Sequence, residues 1–152
     1  MNSIHYNSTT RTKFARRFLI SLSRIRRATT LGPPSDEEIR RRTHRIKLAA
    51  YSSMARAVGS RRAWSRALLL KIRNRALVHG ILRNRFLASK KKRVIKRNKV
   101  STEMNKVDML RKLVPGGETM DVCELLEETA HFMASLATQV KVMKSIVDHC
   151  SE

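Results

Sequence analysis

The chain has 152 residues and a formal charge of +21 at pH 7, from 33 Lys and Arg against 12 Asp and Glu. That length holds one domain with extensions, and so large a positive charge draws polyanions: DNA, RNA or an acidic membrane surface. Only five Gly and three Pro are present, and no apolar run reaches the roughly 20 residues that span a bilayer, so the expected class is all-α with no membrane span.

The charge is unevenly placed. Residues 1–99 carry 28 of the 33 Lys and Arg against three acids, Asp36, Glu37 and Glu38, a balance of +25. Residues 100–152 carry five basic and nine acidic residues, a balance of −4. The two cysteines, Cys123 and Cys150, come without a secretory signal and point to a reducing compartment. Both fall in an apolar helical pattern, where a free Cys is expected as a small buried or half-buried side chain.

In chain order, residues 1–10 show no periodicity and read as disordered. In "RTKFARRFLISLSRIRRATT" the residues Phe14, Phe18, Leu22 and Ile25 are spaced to share one helical face, with arginines on the other. A basic, acid-free, Ser-containing start of this kind also has the look of a mitochondrial transit peptide, but the arginines continue well past any cleavage point. Pro33 and Pro34 break the pattern, and Ser35 with Glu38 forms a capping box that opens a second helix to about Val58. It carries Ile39, Ile46, Ala50 and Met54. After Gly59 and Ser60, "RRAWSRALLLKIRNRALVHGILRNRF" places Trp64, Leu68 and Ile72 at helical spacing, and Gly80 weakens its far end. These front helices have narrow apolar stripes and are not expected to hold an independent core.

A run of seven basic residues, Lys90, Lys91, Lys92, Arg93, Lys96, Arg97 and Lys99, leads into a helix with Val100, Met104, Val107, Leu110 and Leu113. It must end near Val114, because Pro115 disfavours helical geometry before it and Gly116 and Gly117 turn the chain. Asp121 with Glu124 caps a second helix, expected from about Met120 to Asp148. There Val122, Leu126, Thr129, Met133, Leu136, Val140, Met143 and Val147 advance by alternating fours and threes, a heptad seam. A second row, Leu125, Phe132 and Ile146, runs beside it with Gln139 as its polar exception. Two adjacent rows make a stripe wide enough for a helix bundle, and two copies of such a helix pair close a four-helix bundle.

The order of basic run, short helix, loop and long helix resembles the basic helix-loop-helix fold. The wording "LRKLVPGGETMDVCELLEETAHFMASLATQVKVM" is similar to the atypical, non-DNA-binding plant branch of that family, whose members share "LVPGG", "LLEETA" and a helix ending in "QVKVM". "RRAWSRALL" resembles a block upstream in the same branch, whereas the first 55 or so residues add little. The resemblance implies an all-α helix-loop-helix that forms a dimeric four-helix bundle, with a basic, helical or partly disordered N-terminal extension. On that reading residues 1–34 are a basic, partly disordered segment and 35–88 a basic helical extension. Residues 89–99 are then a degenerate basic region and 100–148 the dimerisation domain. Dimerisation would rest on Val107, Leu110 and Leu113 of the first helix and on Leu126, Met133, Leu136, Val140, Met143 and Val147 of the second.

DNA-binding relatives carry His, Glu and Arg at four-residue intervals in the basic region. Counted back without gaps from "LRKLVP", those positions fall on Lys92, Lys96 and Val100. Lys96 puts a donor where a carboxylate accepts hydrogen bonds from base amino groups, and a good base contact discriminates by about 1–3 kcal/mol. No Asp or Glu lies between Lys90 and Thr102, so no shift of register restores the reader. The arm keeps charge for weak, non-specific, salt-sensitive contact with phosphates, and Lys90–Arg93 resembles a nuclear-import signal.

The branch resemblance implies a transcriptional repressor in the nucleus. It would pair with DNA-binding helix-loop-helix factors, or with itself, keep them from E-box sites, and restrain cell elongation under brassinosteroid and light signals. The alternative is a basic RNA- or ribosome-associated protein, against which stand few stacking aromatics and no RNA-recognition strand motif. Catalysis has no support. The five histidines show no metal-ligand spacing, Glu127 and Glu128 point apart on a helix, and no phosphate loop or cofactor fingerprint is present. His131 reads as a surface or partly buried residue, and no cofactor is expected.

Overall fold

The computed structural model describes residues 8–28, 35–85 and 106–151, with 76–85 as backbone only. The described residues form α1 (Ser8–Arg27), α2 (Asp36–Val58), α3 (Ala63–Arg85), α4 (Lys106–Leu113), a short 3-10 turn (Gly117–Thr119) and α5 (Val122–Cys150). No strand occurs among them.

The apolar spacing of α1 does what it predicts: Phe14, Phe18 and Ile25 are buried, and the Phe14 and Phe18 rings stack at 5.6 Å. Ser8–Thr10, expected to be aperiodic, form the first turn of this helix, where the Thr12 hydroxyl donates to the Ser8 carbonyl. Ser35 caps α2 by accepting from the Glu38 N–H at 3.3 Å. The Glu38 carboxylate pairs forward with Arg42 at 3.4 Å.

The front helices were expected to lack an independent core, and they share one with the tail. Phe14, Phe18, Ala50, Met54 and Trp64 form a single buried cluster with Val114, Met120 and Leu125. Each front stripe is narrow, but three stripes and one edge of α5 together exclude water. Burying each large apolar side chain is worth about 1.5–3 kcal/mol. α1 lies along α2, and α5 touches all three front helices.

The α4–α5 turn follows the chemistry of its sequence. α4 ends at Leu113, and Gly116 takes φ +80° in the left-handed region. Gly117 is buried, and a Cβ there would sit 2.7 Å from the Arg111 carbonyl oxygen. The Arg111 guanidinium staples the turn by donating to the carbonyls of Gly117 and Met120. Asp121 caps α5 by accepting from the Glu124 N–H at 2.8 Å. With 29 residues, α5 is about 43 Å long at 1.5 Å per residue.

Cys123 and Cys150 correct the expectation of burial, because both are exposed. Cys123 stands two residues before the buried Leu125, about 200° around the helix from it. Cys150 is the last residue of α5.

Candidate partner-binding face

The two apolar rows of α5 meet different surroundings. Relative to Leu125, Phe132 and Ile146, the row Thr129, Leu136 and Met143 is turned by about 40°, and the row Leu126, Met133, Val140 and Val147 by about 100°. Burial falls off in that order. Leu125 is fully buried; Phe132, Leu136, Met143 and Ile146 are half-buried against the core. Leu126, Met133, Val140 and Val147 are 56–64% exposed. Glu128 and Ser135, turned the other way around the helix, are buried as well. The chain's own front half therefore covers one edge of the stripe and leaves the heptad edge open. Val122 on α5 and Met109 and Leu113 on α4 add to the exposed apolar surface.

A clamp between α3 and α5 sets this division. The first turn of α3 has free N–H groups and a positive dipole end but no acid of its own. Glu128, 64 residues along the chain, supplies one: its Oε2 accepts from the Trp64 N–H at 2.9 Å in a buried contact. Arg62 neutralises the carboxylate, lying 3.5 Å from Glu128 and 3.0 Å from Glu127. The Trp64 side chain is fully buried and its ring lies 5.0 Å from that of Phe132. Its Nε1–H donates to His131 Nδ1 at 3.1 Å. A buried indole normally needs such a partner, and His131 can serve only while Nδ1 is unprotonated. Burial, helped by Arg62, pushes the His131 pKa below its ordinary value, against an opposite pull from Glu128 and Glu127.

Of the residues expected at the dimer contact, Leu113, Leu126, Met133, Val140 and Val147 stand exposed in the single chain. Val107, Leu110, Leu136 and Met143 are half-buried against the internal core. The degenerate reading positions Lys92, Lys96 and Val100 and the import-like run Lys90–Arg93 lie outside the described residues. Arg62, Trp64, Glu128 and His131 were not expected at any contact. The signal for them was a buried-type Trp beside an arginine pair and a Glu-Glu pair followed by His-Phe, but only a fold could bring the two stretches together. No group of three or more His, Cys, Asp or Glu able to hold a metal occurs among the described residues, and none of their helices is long and apolar enough to cross a membrane.

Described residues that are all helix and turn, with a basic front and an open apolar seam, fit a regulator that works by association, and comparison with known proteins puts the chain among plant transcription regulators. A rice protein (Oryza sativa subsp. indica) named Transcription factor IBH1 is 40% identical over 158 residues, covering 86% of this chain and 74% of that protein. Its subsp. japonica counterpart is 39% identical over the same span. Transcription factor IBH1-like 1 of Arabidopsis thaliana is 31% identical over 143 residues, covering 72% of this chain and 79% of that protein. The family model described as the IBH1-like, N-terminal domain matches residues 7–76. The chain belongs to the IBH1 family. That match includes the RRAWSRALL stretch and extends through the first 55 or so residues, which had added little to the resemblance; it spans α1, α2 and the start of α3. No solved structure matches the chain.

Proposed function

We propose that this transcription regulator is a repressor that pairs, through the exposed heptad edge of α5 and the apolar residues of α4, with a DNA-binding helix-loop-helix protein. The observation that carries the reading is the row Leu126, Met133, Val140 and Val147, apolar at seven-residue spacing and 56–64% exposed on a helix otherwise docked to its own chain. Large exposed apolar patches on a folded chain mark interaction sites, and heptad spacing suits another helix. A homodimer through the same edge is the competing occupant.

The pairing would leave the dimer with at most one competent basic arm, since Lys92, Lys96 and Val100 stand where a reader needs His, Glu and Arg. Binding to a two-half-site E-box then fails, and the partner's target genes fall silent. The IBH1 names of the relatives support a nuclear place of action, as does the run Lys90–Arg93. Restraint of growth under brassinosteroid signalling follows from the helix-loop-helix resemblance.

Isothermal titration of the full chain against a DNA-binding helix-loop-helix protein tests the pairing. Met133→Glu with Val140→Glu is expected to abolish the heat of binding; an unchanged isotherm would remove the seam from the model. Leu136→Glu is a less clean probe, because Leu136 also packs against the internal core.

A further inference from the structure

The front half holds a second surface that the pairing does not use. Two adjoining hollows share Ser52 and Arg56 of α2. One is completed by Arg17, Ile20, Ser21 and Arg24 of α1, the other by Arg66, Leu69, Leu70, Ile72 and Arg73 of α3. Five arginines from three helices therefore line these two hollows, which meet at Ser52 and Arg56, and no acid lines either of them. All five are exposed. The only acids in the described front half, Asp36, Glu37 and Glu38, sit on the first turn of α2, about 27 Å or more along its axis from Arg56. Glu37 and Glu38 are engaged there by Arg41 and Arg42. Arg66 is partly held in place by donating to the Ser60 carbonyl at 2.6 Å.

We infer that this three-helix arginine groove binds the phosphate backbone of duplex DNA without reading its sequence. Guanidinium groups match phosphate oxygens in charge and in fork geometry. Arg17 and Arg24 are seven residues apart, as are Arg66 and Arg73, so each pair is offset by about 10.5 Å along its helix. That is about three base-pair rises of 3.4 Å along the duplex axis. The groove has no aromatic lining, and Phe14, Phe18 and Trp64 are buried in the core. Unpaired bases need stacking platforms, so the surface favours a duplex over a single strand. The inference does not depend on the pairing seam, which lies on α4 and α5.

The experiment is fluorescence anisotropy of a labelled 20-base-pair duplex of arbitrary sequence with the full chain alone, across a range of salt concentrations. One variant, R17Q/R56Q/R73Q, removes one groove arginine from each helix. The other, R26Q/R40Q/R45Q, removes the same charge from exposed positions outside the groove, and circular dichroism confirms equal helicity. The groove variant is expected to lower the slope of log affinity against log salt by about 2.7, at about 0.9 per lost phosphate contact, and the other to leave the slope near the parent's. Equal effects of the two variants would assign the binding to diffuse charge and overturn the proposal, as would no binding by the parent chain. Tighter binding of a single strand, or of an RNA duplex of the same length, would move the surface to RNA and overturn it too.

Discussion

Glu128 carries more of this fold than its place in a run of charged and polar residues suggests. It sits 6% exposed, takes the Trp64 N–H at the start of α3, and is neutralised by Arg62. Glu128→Ala leaves the N–H without its acceptor and Arg62 without its buried partner, and is expected to cost about 1–3 kcal/mol in urea or thermal unfolding. His131 adds a pH dependence with a definite sign. Its folded pKa is lowered from 6.5, so the unfolded chain binds the proton more readily. Its contribution is fully present above about pH 6.5 and is lost as pH falls from there through the lower folded pKa. Melting curves at pH 7.5 and 5.5 should show this loss in the parent chain. His131→Asn, which can keep an acceptor towards the Trp64 indole, should flatten the dependence across that window. An unchanged pH response in the variant would mean that other groups control it. The contacts themselves were not legible in the sequence. Glu128 gave no local sign of burial, because Trp64, whose N–H donates to its carboxylate, lies more than 60 positions away; His131, read as surface or partly buried, is half-buried against the same Trp64.

At the scale of elements, α5 is one helix with two apolar edges that face different things. Its caps, its turn and its heptad spacing were all legible, since each is local chemistry: Asp121 before Glu124, Pro115 and the two glycines, and residues advancing by threes and fours. What periodicity cannot state is which edge of a stripe is covered, and by what. The wide stripe read as one bundle surface is divided instead, with Leu125 inside the chain and Leu126, one residue on, outside it. Leu125→Ala should therefore cost about 2–5 kcal/mol. Met133→Glu with Val140→Glu should leave the stability of the single chain within about 0.5 kcal/mol per substitution, as surface changes do. A large loss of stability in that double variant would show that the seam is already engaged at home. In the α4–α5 turn, Gly117→Ala is expected to lower the melting temperature, because its Cβ would press on the Arg111 backbone as well as on the buried Leu125 side chain.

At the scale of the molecule, charge and burial are arranged on different sides of one core. The front helices read as arginine-rich stripes too narrow to fold alone, and that holds helix by helix: Phe14 and Phe18, Ala50 and Met54, and Trp64 are modest contributions from three separate stretches. Their sum, closed by Val114, Met120 and Leu125, could not be seen without the topology that joins them. The result leaves one side of the tail free for a partner while the other side is held by the front half. On the proposed reading the chain can pair without unfolding its own core. The most direct measurement is a competition gel shift with a DNA-binding helix-loop-helix protein held on a CANNTG probe, in excess non-specific duplex, as the full chain is added. The account predicts that the shifted band disappears with no slower band, and that the Met133→Glu, Val140→Glu chain leaves it in place. A shifted band that persists unchanged as the parent chain is added, or that the double variant removes equally well, would contradict it.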